Sequence, residues 1–178
     1  MADEACRNYA SALYSLIDEA RLEEYLSALG EIDSLLREDK ELYAFLESYS
    51  LKAEEKYPVS DKLCEPFGLE HLPEFFRLII KKHRINRFAR IYGEFKGLAN
   101  ERLGVSEGIV YSVAPLGQKQ ISRLEGALSQ KVGKKVSLSN KIETTLIGGV
   151  KVYLDGKVYD GSLRNRLLEL EKTLLEKR

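Results

Sequence analysis

A chain of 178 residues has room for one domain or two small ones, and 44% hydrophobic with 31% charged residues excludes a disordered polymer. Lys+Arg and Asp+Glu total 28 each, so the net charge is zero, unlike that of a strongly basic nucleic-acid binder. No apolar run approaches the roughly 18 residues of a membrane span, and no basic segment followed by an apolar one marks a secretory leader. Two distant cysteines, Cys6 and Cys64, exclude a disulfide scaffold or a Cys-rich zinc site.

The first hundred residues read as successive helices, each with apolar side chains three or four apart. Tyr9, Leu13, Leu16 and Ile17 form the first stripe. Leu22, Leu26, Leu29, Ile32 and Leu36 form the second, and Leu42, Phe45, Leu46 and Tyr49 the third. A fourth, around Leu51 to Tyr57, is faint. The fifth runs through Leu72, Phe75, Phe76, Ile79, Ile80 and His83, with Pro73 suited to a first helical turn. Ile85, Phe88, Ile91, Tyr92, Phe95, Leu98 and Ala99 make the sixth, with Gly104 as its stop. The prolines place helix breaks near residues 57–73 and near 115.

After Gly104 the apolar period changes from 3.6 to 2, which sets a domain boundary between residues 104 and 105. Ile109–Val113 reads as a strand, and Ile121, Leu124, Leu128 and Val132 as a helix over 118–132. Val136 and Leu138 alternate with polar residues, as do Val150, Val152 and Leu154. Asp155-Gly156 signals a hairpin turn into Lys157–Tyr159. A last helix follows, with Ser162 or Asp160 as N-cap. Its seam of Leu163, Leu167, Leu170 and Leu174 is read as packing on the sheet, with Leu168 and Leu175 free for a partner helix. The fold class is therefore α+β: a six-helix N-terminal bundle over 1–104 and a small α/β domain, β-α-β-β-β-α, over 105–178.

Zero net charge hides a division. Residues 1–74 hold 18 acids and 7 bases, residues 75–104 hold 2 acids and 8 bases, and residues 105–178 hold 8 acids and 13 bases.

No catalytic constellation emerges. Gly148-Gly149-Val150-Lys151 lacks the spacing of a phosphate loop, so the glycine pair reads as a place where two backbones approach closely. His71 has no nucleophile or acid at a telling spacing, and His83 falls on an apolar stripe. Lys81, Lys82, Arg84, Arg87 and Arg90, with Phe88 and Tyr92 among them, form a basic run. It reads as a solvated or protein-contacting face, with an RNA-binding helical adaptor as the alternative function.

Five stretches together resemble one family. They are Tyr9-Ala10-Ser11-Ala12-Leu13-Tyr14; His83-Arg84 with Ile91, Phe95, Leu98, Asn100, Glu101 and Gly104; Ser112-Val113-Ala114-Pro115-Leu116 with Gln120; Val136 to Val152 including Gly148 and Gly149; and Asp160-Gly161-Ser162-Leu163-Arg164-Asn165-Arg166-Leu167. In this order they are similar to the δ subunit of the F-type ATP synthase, whose mitochondrial counterpart confers oligomycin sensitivity. Asn8, Ala114 and Tyr153 depart from the family pattern.

The resemblance implies a non-catalytic stator subunit that ties the catalytic head to the peripheral stalk, so that the head does not turn with the rotor. It implies a peripheral protein on the cytoplasmic face of the cell membrane, held there only through the complex, with no cofactor, no metal and no nucleic acid. Its partners would be the α subunits of the head and the b-type subunits of the stalk. Ala10, Leu13, Tyr14, Ile17, Phe76 and Ile79 are the head-interface candidates, and Leu168 and Leu175 the stalk-interface candidates. Gly148, Gly149, Asp160, Gly161 and Ser162 form the structural motif.

Overall fold

The apolar stripes of the first hundred residues become six α-helices. The computed structural model describes residues 2–168, and the chain divides into two compact units, one ending at Arg102 and the next beginning at Leu103. In the first unit α1 is Ala2–Ser15, α2 Leu22–Glu38, α3 Lys40–Glu47, α4 Ala53–Cys64, α5 Leu72–Lys81 and α6 Phe88–Leu103. Leu22, Tyr25, Leu29, Ile32 and Leu36 of α2 are buried, as are all five apolar stripe residues of α5 and Phe88, Ile91, Phe95 and Ala99 of α6. Phe76 and Phe88 meet with ring centroids 4.9 Å apart.

Local signals set the ends. Asp39 closes α2 and caps α3, its Oδ1 accepting from the N–H groups of Glu41 and Leu42 at 3.0 and 2.9 Å. Pro73 lies in the first turn of α5. Beyond α5, the N–H groups of His83 and Arg84 donate to the carbonyls of Ile80 and Ile79, both at 2.9 Å. That double closure needs a left-handed residue between the helix and its continuation, and His83 supplies it at φ 51°. His83 is thus exposed beyond α5 rather than on its apolar stripe, and the sixth helix begins only after a 3₁₀ turn at Ile85–Arg87.

The expected break at Pro58 does not occur: α4 runs through it. Glu54 and Pro58 are both exposed, so the one hydrogen bond lost lies where water can replace it. The fourth stripe is faint because α4 turns Lys56, Ser60 and Cys64, at i, i+4 and i+8, into the interior.

In the second unit, Gly104 ends α6 at φ 63° and the chain passes directly into β1, Val105–Ser112, four residues longer at its start than the sequence pattern implies. Then come α7 (Gln118–Val132), β2 (Lys135–Ile142), β3 (Gly149–Leu154) and β4 (Lys157–Ser162). The sheet order is β2-β1-β3-β4, with β1 parallel to β2 and antiparallel pairing elsewhere. Asp155 and Gly156 turn the β3–β4 hairpin at φ 49° and 72°.

One face of the sheet carries Val110, Val136, Leu138, Val152 and Leu154, packed with Leu128, Ile121 and Leu124 of α7. The same helix closes the outer edge of β2. Ser129 Oγ accepts from the Val136 N–H at 3.0 Å, and a Glu125 carboxylate oxygen from the Leu138 N–H at 2.9 Å. Asn140 joins β1, β2 and the approach to α7. Its amide donates to the Val110 carbonyl and the Ser112 hydroxyl at 3.0 and 2.8 Å, and its Oδ1 accepts from the Leu116 N–H at 2.9 Å.

Candidate interaction surfaces

The six head-interface candidates divide sharply. Ala10, Leu13, Phe76 and Ile79 are at most 1% exposed and belong to the core, so they offer no surface to a partner. Tyr14 and Ile17 are half-buried. The exposed apolar side chains on the same two helices are ones the sequence reading did not choose: Leu16, just beyond α1, and Leu78 on α5. A helical period identifies an apolar face, but a residue at the edge of that face can point either way.

The basic run separates in a similar manner. Phe88 is buried and cannot stack on a base. Arg84 lies over the Tyr9 ring at 5.5 Å, and His83 stacks on Tyr49 with centroids 4.8 Å apart. Tyr49 is 70% exposed, which leaves it at the surface beside Lys82 and Arg87. Elsewhere on this unit a groove of about 740 Å³ opens between α2 and α4, lined in part by Leu26, Leu35, Leu63, Phe67 and Tyr92. Nothing in the one-dimensional pattern marks it, because its walls come from segments far apart in sequence.

In the second unit the two distinctive motifs meet. Gly149 pairs with Ser162 and Val150 with Gly161, while the Leu163 N–H donates to the Gly148 carbonyl at 3.0 Å. A Cβ on Gly149 would collide with the backbone of Gly161 and Ser162, and its φ of 81° disfavours other residues as well. Asp160 accepts from the Ser162 N–H at 2.9 Å, and the hydrogen bonds from Ser162 hold its carboxyl below the usual carboxylate range. Ser162 Oγ in turn accepts from the Asn165 N–H at 3.2 Å, which makes Ser162 the cap of the helix at 163–168. The motif is a clamp between two strands and a helix start.

The start of that helix departs from expectation. Leu163 and Leu167, assigned to the sheet-packing seam, are exposed, as is the stalk candidate Leu168. Leu175 lies outside the described residues. The face of the sheet opposite α7 also carries exposed apolar side chains, among them Tyr153 and Val158.

Comparison with known proteins supplies the deciding observation. The family profile described as ATP synthase delta (OSCP) subunit matches residues 5–174. The chain belongs to that family. Among its relatives, ATP synthase subunit delta of Mycoplasma mobile is 30% identical over 178 residues, 99% of each chain. That of Bacillus pumilus is 33% identical over 172 residues, covering 94% of this chain and 93% of the relative. A chain in the cryo-EM structure of the Toxoplasma gondii mitochondrial ATP synthase hexamer shares the α+β fold. It has a TM-score of 0.69 at 20% identity and covers 96% of this chain and 97% of that one.

As a delta/OSCP subunit, the protein is a component of the peripheral stalk of ATP synthase. No helix among its described residues is long and apolar enough to cross a membrane. Among those residues no three His, Cys, Asp or Glu side chains gather as a metal site requires.

Proposed function

We propose that the protein is a non-catalytic stator linker. The first unit acts as a six-helix bundle that holds the α subunits of the catalytic head, and the second holds the b-type subunits of the peripheral stalk. The protein works on the cytoplasmic face of the cell membrane, attached only through the complex, and the tie keeps the head from turning with the rotor. Such a tie needs slow dissociation under load, which depends on the quality of two interfaces rather than on any reactive group.

The observation that supports this reading is the pairing of two compact units, each with its own core and its own exposed apolar side chains. Their charge is opposed, the first acidic and the second basic. On the first unit the head surface is centred on Tyr14, Ile17, Leu16 and Leu78, where α1 and α5 carry half-buried or exposed apolar groups.

Deleting residues 105–178 tests the division of labour. The truncated protein is expected to remain on the head and to release the stalk, with ATP hydrolysis by the head retained and coupled proton pumping lost. Normal stalk recruitment by the truncated chain would refute the assignment of the second anchor.

A further inference from the structure

A polar hollow of about 480 Å³ opens on the first unit beyond the end of α5. Its walls are Tyr49, Lys82, His83, Arg84, Asn86 and Arg87, and Ala5 is the one apolar side chain among its described walls. The backbone builds it. After α5 closes, His83 takes the left-handed conformation at φ 51°, and the 3₁₀ turn at Ile85–Arg87 follows. This sequence of turns brings Lys82, His83 and Arg84 to the same hollow as Asn86 and Arg87. An ordinary helix end places glycine at positive φ, whereas residues with side chains in that region gather at ligand clamps.

The charges around the hollow are unbalanced. Arg7, Arg21, Arg37, Arg77 and Arg102 of the same unit each meet a carboxylate within 3.5 Å. Lys82, Arg84 and Arg87 meet none among the described residues, although residues 1–104 hold 20 acids and 15 bases. Arg84 and Arg87 are also half-buried, so they forgo part of their water. Three like charges around one hollow repel one another, and a bound anion relieves that repulsion. An aromatic platform stands at the same place: Tyr49 and His83 are both exposed and stack at 4.8 Å with their planes 17° apart.

We propose that this hollow binds a nucleotide, with its phosphates on Lys82, Arg84 and Arg87 and its base against the Tyr49–His83 pair. Guanidinium groups meet phosphate oxygens with paired donors, and the lysine adds a point charge. Tyr49 offers a π-face to a planar base. The volume falls within the range of small-ligand sites, about 300–1,000 Å³. A helical peptide is a poorer occupant, because Ala5 gives an apolar anchor nothing to bury against. A longer RNA is poorer too, because Phe88 is buried and a strand needs a basic groove with successive stacking platforms. Occupancy of the hollow does not depend on the stator-linker role.

The test titrates the full-length chain with ATP, without magnesium, by calorimetry. ATP is expected to bind more tightly than tripolyphosphate, which has the charge without the ring, and than adenosine, which has the ring without the charge. Lys82→Gln with Arg87→Gln is expected to weaken ATP binding by about tenfold or more and to flatten its dependence on ionic strength. Tyr49→Ala is expected to weaken ATP binding by about fivefold or more and to leave tripolyphosphate unchanged. Tyr49 is at the surface, so if the double variant fails to melt cooperatively Tyr49→Ala decides alone.

No ATP binding by the wild-type chain, or binding that these variants leave unchanged, overturns the proposal. Tripolyphosphate or inorganic phosphate bound as tightly as ATP overturns the nucleotide in favour of a bare phosphate site. A single-stranded RNA bound far more tightly than ATP, and lost in the same variants, overturns it in favour of nucleic acid.

Discussion

The Lys56 ammonium donates to the Leu46 carbonyl at 2.9 Å from a position 1% exposed, and reaches the Ser48 carbonyl as well. A cation from α4 thereby closes the C-terminal end of α3, where helical carbonyls run out of partners and the dipole favours positive charge. Burial pushes the Lys56 amine below the usual lysine range.

Lys56→Ala is expected to cost about 1–3 kcal/mol, the penalty of leaving buried acceptors unpaired. The check is a urea midpoint with an unchanged m-value. The pH sign follows from the lowered pKa. Between the folded and unfolded values the unfolded chain binds more protons, so wild-type stability gains as pH rises toward about 10.5. That gain falls away as pH drops through the folded pKa. The stability difference between wild type and Lys56→Met should therefore shift toward wild type as the solution becomes more alkaline.

Core and surface assignments on α1 and α5 separate by mutation. Phe76→Ala removes a fully buried ring and is expected to cost about 3–5 kcal/mol, read as a lower melting temperature. Tyr14→Asp should keep a cooperative melt and weaken binding to the head. If Tyr14→Asp binds as wild type does, the head surface lies elsewhere.

Much of this was legible in the sequence. The fifth stripe, Leu72 to Ile80, became α5 with its five apolar stripe residues buried, and Asp155-Gly156 became the hairpin turn. What escaped depends on contacts between distant residues. Lys56 looks like a solvent-facing residue until Leu46 and Ser48 are brought to it. The head-interface candidates Ala10, Leu13, Tyr14 and Ile17 lie at i, i+3, i+4 and i+7, and only the packing of α1 sorts them. The exposed apolar side chains on the outer face of the sheet were hidden because Tyr153 and Val158 become neighbours only through strand register.

Cys64 is buried, and desolvation pushes its thiol up to about 12. The thiolate is the reactive form, so alkylation at neutral pH should be slow in the native protein and fast in denaturant. Rapid native labelling at Cys64, located by mass spectrometry, would contradict the interior placement of that face of α4.

His83 holds a left-handed backbone that β-branched residues resist. His83→Val is expected to lose about 1–2 kcal/mol. His83→Gly should retain or exceed wild-type stability despite losing the stack on Tyr49, since glycine adopts this conformation freely. Thermal melts of the two variants decide it; equal losses in both would mean that the ring contact, not the backbone, sets stability here.

Ser129 and Glu125 occupy N–H groups along β2 that would otherwise be free to receive another chain. An unassembled copy of this subunit therefore presents a sheet that is blunted on one side, because an extended segment arriving at β2 finds those two donors taken. The protection is written into α7 itself and is available as soon as the helix crosses over from β1, before any partner arrives. Runaway growth by stacking sheet on sheet along that margin is discouraged during the interval between synthesis and incorporation. Glu125→Ala with Ser129→Ala would reopen the margin, and its mark would be faster loss of soluble, unincorporated protein on storage.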